Sequence, residues 1–438
     1  MKYSSEHTQC KFASTPNGDR AFALDWGYAH IDLDIHMLPE EKGLKAKNGV
    51  RWSTFLKDVF ICSLGAYGGP EAHYGVFTDQ MVIKKEYLTE EELVELIAIT
   101  GLLPGPSSTQ TIVAIGYKTG GPILALLTML VWALPVLTVM TALSFLSQFL
   151  GSMNISQDGL RYVGPMAVGF IVVAAHRIGR KVIKDRLTLS LSLLGGLTTY
   201  FIREPWIFPL VLLLGGAASI ITSKEKHLWN SVELFPPWKY LVAFGVLAIG
   251  SLALTFLWDN RIVHLFESFY RYGYLVIGGG QVVVPLMHSE LVELNRYMTD
   301  QEFLTGFGLV QGLPGPMFSF SAYAGGMAAR GGSLLFQIRG AVAGAIGIFL
   351  PGLLLIYFIY PIWENLKNIK GIRVSLKGIT AVAGGLIAAA AVTLMQKSGL
   401  SLDNFLVMSF TAALLFTGKI PAPLIVAISL AVGFLIPL

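Results

Sequence analysis

The chain has 438 residues, of which 53% are hydrophobic and only 14% are charged. About a quarter of the residues of a soluble protein are charged, so this composition excludes an ordinary soluble protein and indicates a polytopic membrane protein. The formal net charge of +4 is small. Because the basic residues concentrate in a few loops, they indicate orientation in a membrane and not nucleic-acid binding.

The first 50 residues are polar and contain no apolar run long enough to span a bilayer. They predict a soluble N-terminal tail, domain 1–50, with no cleavable signal peptide. Within the tail, polar and apolar residues alternate from His30 to His36, which on a strand would place four polar groups on one face. A divalent metal site is one interpretation. Alternation fixes no coordination geometry, so an exposed extended segment is the favoured one.

The apolar part of the chain repeats itself. Residues that break or bend helices return after 210 positions without an insertion: Gly69 on Gly279, Pro104 on Pro314, Gly105 on Gly315 and Pro106 on Pro316. The chain therefore contains two copies of one unit. We predict repeat 1 at 51–225, a linker with one transmembrane helix at 226–262, and repeat 2 at 263–438.

Basic residues in short loops differ in position between the two copies. In copy 1 they follow the fourth predicted span, from Arg177 to Arg186, and in copy 2 they follow the third, from Lys367 to Lys377. Equivalent loops therefore face opposite sides of the membrane. We predict an all-α polytopic membrane protein of two inverted-topology repeats, each with about six helical segments, and about thirteen spans in total. The N-terminal tail is expected in the cytoplasm. This architecture is typical of alternating-access transporters, which bind substrate near the midplane.

Each copy carries a Pro-Gly-Pro triplet in an apolar stretch, where a continuous helix is costly. We therefore expect a broken helix, which membrane proteins tolerate only where protein or a water-filled cavity satisfies the freed backbone groups. Four polar residues follow the triplet of copy 1: Ser107, Ser108, Thr109 and Gln110. They indicate a helix N-terminus with free amides, which favours an anion. The positions of copy 2, Met317 to Phe320, are less polar. A plain kink for packing is the alternative.

A second break is predicted at Gly69 in copy 1 and at Gly280 in copy 2, each followed by a polar residue, Glu71 or Gln281. Glu71 and His73 form an ionisable pair that could carry a proton coupled to transport. The alternative is that Glu71 caps the next helix and that His73 faces water. Two cations lie shortly beyond the Pro-Gly-Pro helices, Lys118 and Arg330, and could meet a dianion; the alternative is loop charge that sets orientation.

The predicted site residues form two groups. The predicted substrate-binding residues are Gly69, Pro104, Gly105, Pro106, Ser107, Ser108, Thr109, Gln110, Lys118, Gly280, Gln281, Pro314, Gly315, Pro316 and Arg330, and the predicted proton-coupling residues are Glu71 and His73. The chain lacks metal-ligand spacing and the G-x-x-x-x-G-K-[ST] loop, so we expect no metal, no cofactor and no direct drive by ATP.

The order of these motifs resembles the chromate ion transporter family in its long, two-domain form. The resemblance rests on G-G-P-x-A-H, a connector ending in L-T-E-E-E, L-P-G-P-S-S-T-Q and the second-copy motifs G-G-G-Q and L-P-G-P, and it covers about residues 53 to 438. It implies efflux of chromate across the cytoplasmic membrane, driven by the membrane potential or a proton gradient. Two features depart from the family: Tyr87 stands where Trp is common, and the tail is longer.

Other readings remain open. Sulfate has the charge and tetrahedral shape of chromate, so sulfate or another anion could be the substrate of the same fold. A membrane-embedded enzyme using Glu71 and His73 as acid and base is an alternative of another class, although the chain lacks a nucleophile elbow and a paired-aspartate motif. We expect an oxyanion and the lipid bilayer as partners and no nucleic acid, and a homodimer is left open.

Overall fold

The computed structural model describes residues 50–152, 158–225, 228–229, 235–277, 280–366 and 369–435. The predicted tail and its His30 to His36 pattern lie outside these residues. Within the part described, the structure is helical throughout and has no strand, which confirms the predicted fold class.

The helices follow the order that the repeats predict. Repeat 1 contains α1 (Trp52–Gly65), α2 (Pro70–Phe77), α3 (Glu90–Leu102), α4 (Ser107–Ser152), α5 (Val163–Val182), α6 (Arg186–Phe201) and α7 (Ile207–Thr222), and the linker contains α8 (Trp238–Leu257). Repeat 2 contains α9 (Arg261–Leu275), α10 (Val284–His288), α11 (Asp300–Gln311), α12 (Phe320–Ala328), α13 (Leu334–Ile359), α14 (Trp363–Leu366), α15 (Lys370–Lys397), α16 (Leu402–Thr417) and α17 (Ala422–Leu435).

Several helices are long and apolar enough to cross a membrane by length and composition. They are Ser107–Leu146, Trp238–Leu257, Leu334–Leu366 and Lys370–Lys397, and α7, α16 and α17 are shorter apolar helices. The first of them is not straight, because Gly120 and Gly121 within α4 have non-helical backbone angles. The protein is therefore a multi-pass membrane protein.

The two repeats share unusual local structure at the same shift of 210 residues. Short π-helical segments occupy Thr78–Lys84 and Ser289–Leu294. The connector after each segment contains a non-glycine residue in the left-handed region, Glu86 or Arg296. Each connector ends in a capping box, whose N-cap threonine is Thr89 in repeat 1 and Thr299 in repeat 2. These matches show that the two halves fold as copies of one unit.

The Pro-Gly-Pro turns reverse the direction of the chain. In repeat 1 the Thr100 and Thr111 hydroxyls lie 2.7 Å apart, and Lys118 Nζ lies 3.1 Å from Glu92 Oε1. Both pairs are nearly symmetric about Gly105, so α3 and the first part of α4 (residues 107–119) form an antiparallel hairpin. We call this the second hairpin of repeat 1. In repeat 2, α11 and α12 form the same hairpin, closed by the ion pair between Arg330 and Glu302.

The glycine-rich breaks also reverse the chain. The Gln80 amide donates to Asp58 Oδ1 at 3.0 Å, which joins α1 to the π-helical segment after α2. The Ser268 hydroxyl donates to Glu290 Oε1 at 2.8 Å at the same place in repeat 2. These pairs define the first hairpin of each repeat. The prediction that these segments cross the membrane one by one, and hence the total of thirteen spans, is wrong because the breaks turn the chain back.

Helices α5 and α15 are equivalent, and each packs on short helices of the other repeat. α6 runs beside α15: Asp185 pairs with Lys377 at one end, at 2.6 Å, and Gln396 donates to the Tyr200 hydroxyl at the other, at 3.1 Å. Hydrogen bonding to Lys377 lowers the pKa of the Asp185 carboxyl to about 2. Between these ends the backbones come close, because a Cβ on Gly385 would lie only 1.9 Å from the Ser192 carbonyl oxygen.

The second hairpin predicts a cross-link. In a chain carrying Cys10→Ser and Cys62→Ala, we expect the pair Glu92→Cys and Lys118→Cys to react with a short bifunctional thiol reagent, because the native side chains touch. A continuous crossing helix would separate them by on the order of 40 Å. The linked peptides are identified by mass spectrometry. Glu92→Cys with Thr138→Cys is the control and should remain unlinked; the absence of a link between reactive cysteines at 92 and 118 would contradict the hairpin.

The tip of the first hairpin predicts a cost at Gly69. Its angles, φ 97° and ψ −174°, belong to a region that only glycine readily adopts, although a Cβ there would meet nothing within 4 Å. We therefore expect Gly69→Ala to destabilise the fold by about 1–3 kcal/mol through backbone strain alone. Gly75→Ala in α2 is the matched control, since that position is helical and equally open. Thermal unfolding in detergent checks both, and equal melting temperatures would contradict the strain argument.

Candidate functional site

The tips of the hairpins meet across the two repeats. Gly105 N donates to the Val276 carbonyl oxygen at 2.7 Å, and Gly315 N donates to the Ala66 carbonyl oxygen at 2.8 Å. Both the donors and the acceptors differ by 210 residues, so one bond is made twice. Each Pro-Gly-Pro turn thus bonds to the chain just before the glycine-rich break of the other copy. Glycine is needed in both turns, because φ is 128° at Gly105 and 106° at Gly315.

The return arms of the hairpins begin at these tips. α2 starts at Pro70, α4 starts at Ser107, and short 3₁₀ segments start at Gly280 and Met317 in repeat 2. The first N–H groups of a helix lack intrahelical partners and lie at its positive dipole end. The carbonyl groups of the outgoing arms are partly occupied, since Ala66, Pro104 and Val276 accept hydrogen bonds at the tips. The electrostatics at the tips therefore favour an anion.

The polar side chains of repeat 1 form a buried cluster at this place. The Ser108 hydroxyl lies 2.9 Å from His73 Nδ1, and Trp132 Nε1 donates to the Thr109 hydroxyl at 3.2 Å. The Trp132 and His73 rings pack edge to face at 5.4 Å. His73 is only 2% exposed, so the alternative that it faces water is wrong. The structure brings the two predicted groups around Ser108 and His73 together.

Gln110 closes the first Pro-Gly-Pro turn. Its Nε2 donates to the Pro104 carbonyl oxygen at 2.9 Å, while its buried Oε1 has no hydrogen-bond partner among the described residues. The buried hydroxyl of Ser319, which matches Thr109 in repeat 2, is also without a described partner. An unmet buried polar group costs about 1–3 kcal/mol, so both groups favour a polar ligand or water at the tips.

The second copy lines the tips differently. Phe318 and Phe320 stand where copy 1 has Ser108 and Gln110, and both are buried. Phe320 packs edge to face on Phe303 at 5.1 Å and contributes to an aromatic cluster. Gln281 begins the return arm of its hairpin and is half-buried. The polar contacts are therefore concentrated in copy 1.

Three predicted residues do not join this cluster. Lys118 and Arg330 lie at the open ends of the second hairpins, where they pair with Glu92 and Glu302. At about 1.5 Å per residue, those ends are roughly 20 Å from the tips. Their predicted contact with substrate stays a prediction. Glu71 lies in the first turn of α2, but its side chain is outside what the structure describes, and its role as a proton carrier also stays a prediction.

The sequence analysis missed several residues that the structure places in or near the site. Trp132 lies in an apolar run, and nothing in the sequence marks its contacts with His73 and Thr109. Asp58 is 1% exposed and accepts a hydrogen bond from Tyr87 at 2.7 Å. An acidic residue in an apolar segment is a signal that could have been used. The same holds for Glu267 and Arg271, an ion pair four residues apart in α9.

No group of three or more His, Cys, Asp or Glu side chains placed to hold a metal ion occurs in the part of the chain that the structure describes. The cluster at the tips consists of hydroxyl, imidazole, amide and indole groups. These groups can donate hydrogen bonds to an anion, and the two Pro-Gly-Pro turns fix their positions.

Comparisons with known proteins agree with this geometry. The family model described as "Chromate transporter" matches residues 53–220 and 263–434. The chain is 26% identical to a probable chromate transport protein of Synechococcus elongatus, over 85% of this chain and 93% of that protein. It is 29% identical to a chromate transport protein of Pseudomonas aeruginosa, over 76% and 78% of the two chains.

A chromate transport protein of Cupriavidus metallidurans is 24% identical over 84% of this chain and 88% of its own length. No solved structure shows significant similarity. The family match covers both repeats and stops short only of the tail, the linker and the last residues. The chain therefore belongs to the chromate transporter family.

Proposed function

We propose that this protein is a secondary active transporter that exports a tetrahedral oxyanion, chromate before others, across the cytoplasmic membrane by alternating access. Family membership and the names of the relatives support chromate as the substrate. The observation that carries the mechanism is the pair of backbone hydrogen bonds at Gly105 and Gly315. These bonds bring the helix starts of both repeats to one place, and that place can hold an anion.

Copy 1 provides hydrogen-bond donors for the anion. Because Trp132 donates to the Thr109 hydroxyl, the proton of that hydroxyl is free to point at the substrate. In the tautomer that carries a proton on Nδ1, His73 donates to Ser108, and the Ser108 proton is free in the same way. Each chain of donors polarises the hydroxyl at its end. His73 is thus a positioning residue for Ser108.

The inverted repeat supplies a route for alternating access. The hairpins of the two repeats enter from opposite sides and meet at their tips. A shift of one repeat against the other would open the anion site to one side at a time. The basic loops at Arg177 to Arg186 and at Lys367 to Lys377 then lie in the cytoplasm, together with the N-terminal tail. We propose the membrane potential or a proton gradient as the driving force, and we leave a homodimer as an untested option.

Sulfate is the second candidate substrate. Hydroxyl and amide donors on a helix start recognise charge and tetrahedral shape, which sulfate shares with chromate. Competition between the two anions for the purified protein separates these readings. An enzyme remains the alternative of another class, but the contacts of His73 with Ser108 and Trp132 suit an anion site as well as they suit acid–base chemistry.

The proposal predicts a loss of affinity in Ser108→Ala. A hydrogen bond to a charged ligand contributes about 1.5–3 kcal/mol, so we expect chromate affinity to fall at least about tenfold. Uptake of labelled chromate into vesicles, over a range of concentrations, measures it. Ser190→Ala is the matched control, because Ser190 is exposed on α6 and bonds only to its own helix. An unchanged affinity in folded Ser108→Ala would move the anion away from this turn.

A further inference from the structure

The first hairpin of repeat 2 contains a buried cluster of charges. Arg271 on α9 donates from Nε to Glu267 Oε1 at 2.7 Å and from Nη2 to Glu290 Oε1 at 2.8 Å. Two further bonds, both of 3.0 Å, complete the contact of the guanidinium with both carboxylates. Ser268 also donates to Glu290. The two glutamates are only 7% and 6% exposed, so the cluster lies inside the protein.

The charges in this cluster do not balance. Two carboxylates share one guanidinium, which leaves one negative charge when all three groups are ionised. The neighbours do not supply a second cation: Tyr272 is neutral, Arg261 at the start of α9 lies over the Tyr297 ring at 5.5 Å, and His288 bonds to Asp300 at 2.7 Å. Ion pairing of the cluster with another cation is absent among the described residues. An uncompensated buried charge is costly, and binding a proton removes that cost.

Repeat 1 shows that the fold does not require the second carboxylate. Gln80 stands where repeat 2 has Glu290, and Ile61 stands where it has Arg271. There the one buried carboxylate, Asp58, accepts from Gln80 at 3.0 Å and pairs with Lys85 at 3.2 Å. One negative charge meets one positive charge, so the same hairpin closes in repeat 1 with balanced charges. The extra carboxylate of repeat 2 therefore has a role beyond closing the hairpin.

We propose that Glu267 and Glu290 bind one proton between them and that this pair couples proton movement to anion transport. When the proton is bound, one glutamate is a neutral carboxylic acid and the other balances Arg271. When the proton leaves, the cluster gains one negative charge and its contact across the hairpin changes. This inference rests on the proposed transport function, and it locates the coupling proton elsewhere than Glu71 and His73.

A short path joins this cluster to the anion site. Arg271 lies five residues before Val276 on α9, about 7.5 Å along a helix. The Val276 carbonyl oxygen accepts the hydrogen bond from Gly105 that fixes the first Pro-Gly-Pro turn. A change in how Glu290 holds α9 therefore reaches the turn that positions Ser108. The two sites are connected by one helix and one backbone hydrogen bond.

The test uses the full chain, purified and reconstituted into vesicles with an internal pH-sensitive dye. Labelled chromate is followed in exchange without a gradient and in uptake driven by a pH gradient at clamped membrane potential. The variants are Glu290→Gln and Glu267→Gln, each of which leaves Arg271 with one carboxylate and so a neutral cluster. Asp79→Asn is the control, since Asp79 lies in the equivalent π-helical segment and forms an exposed pair with Lys84.

We expect both glutamine variants to keep exchange within about twofold of the unmodified protein and to lose stimulation by the gradient, with chromate-dependent proton flux reduced at least tenfold. Asp79→Asn should behave as the unmodified protein. Full stimulation in both glutamine variants would overturn the proposal, as would its loss in Glu71→Gln alone.

A second readout does not depend on transport. At neutral pH the infrared spectrum of the unmodified protein should show the band of a protonated carboxyl group, and that band should be absent from Glu290→Gln and from Glu267→Gln. Absence of the band from the unmodified protein would overturn the proton site. If the unmodified protein shows the band but exchanges no chromate, the transport proposal fails and the proton site stands.

Discussion

The structure depends on the two backbone hydrogen bonds that Gly105 and Gly315 donate across the repeats. Inside a membrane, water cannot satisfy the amide groups that a Pro-Gly-Pro turn exposes, so the partner must come from protein. The partner is the chain just before the break in the other copy. Neither repeat can therefore complete its own turns, and the pairing of the copies is a condition for forming the site.

The same scaffold carries different chemistry in the two copies. Copy 1 has Ser108 and Gln110 at its turn, whereas copy 2 has Phe318 and Phe320. In the first hairpins the difference is reversed, because copy 2 has the larger charged cluster around Arg271. On our proposals the anion is held mainly by one copy and the proton by the other. A duplicated unit allows this division, since each copy needs only the backbone pattern of glycines and prolines to keep the fold.

Much of the architecture could be predicted from the sequence because it rests on local signals. The breaks at Gly69 and Gly105, the capping box at Thr89 and the shift of 210 residues are all readable along the chain. The reversal of direction at the breaks was not predicted, since a bend and a turn have the same composition. The pair of Lys118 with Glu92 settles it, and that contact joins residues far apart in sequence. Trp132 was missed for a similar reason, as its neighbours come from other helices.

The π-helical segments at Thr78–Lys84 and Ser289–Leu294 determine which residues face the first arm of each hairpin. A π turn accommodates one more residue than an α turn, so everything after it is rotated about the helix axis. Deleting one residue there would restore an α-helix and rotate the following side chains by about 100°. Gln80 and Glu290 owe their inward direction to that extra residue. A change in length, with no change of any polar residue, would therefore be enough to disconnect the arms of the hairpin.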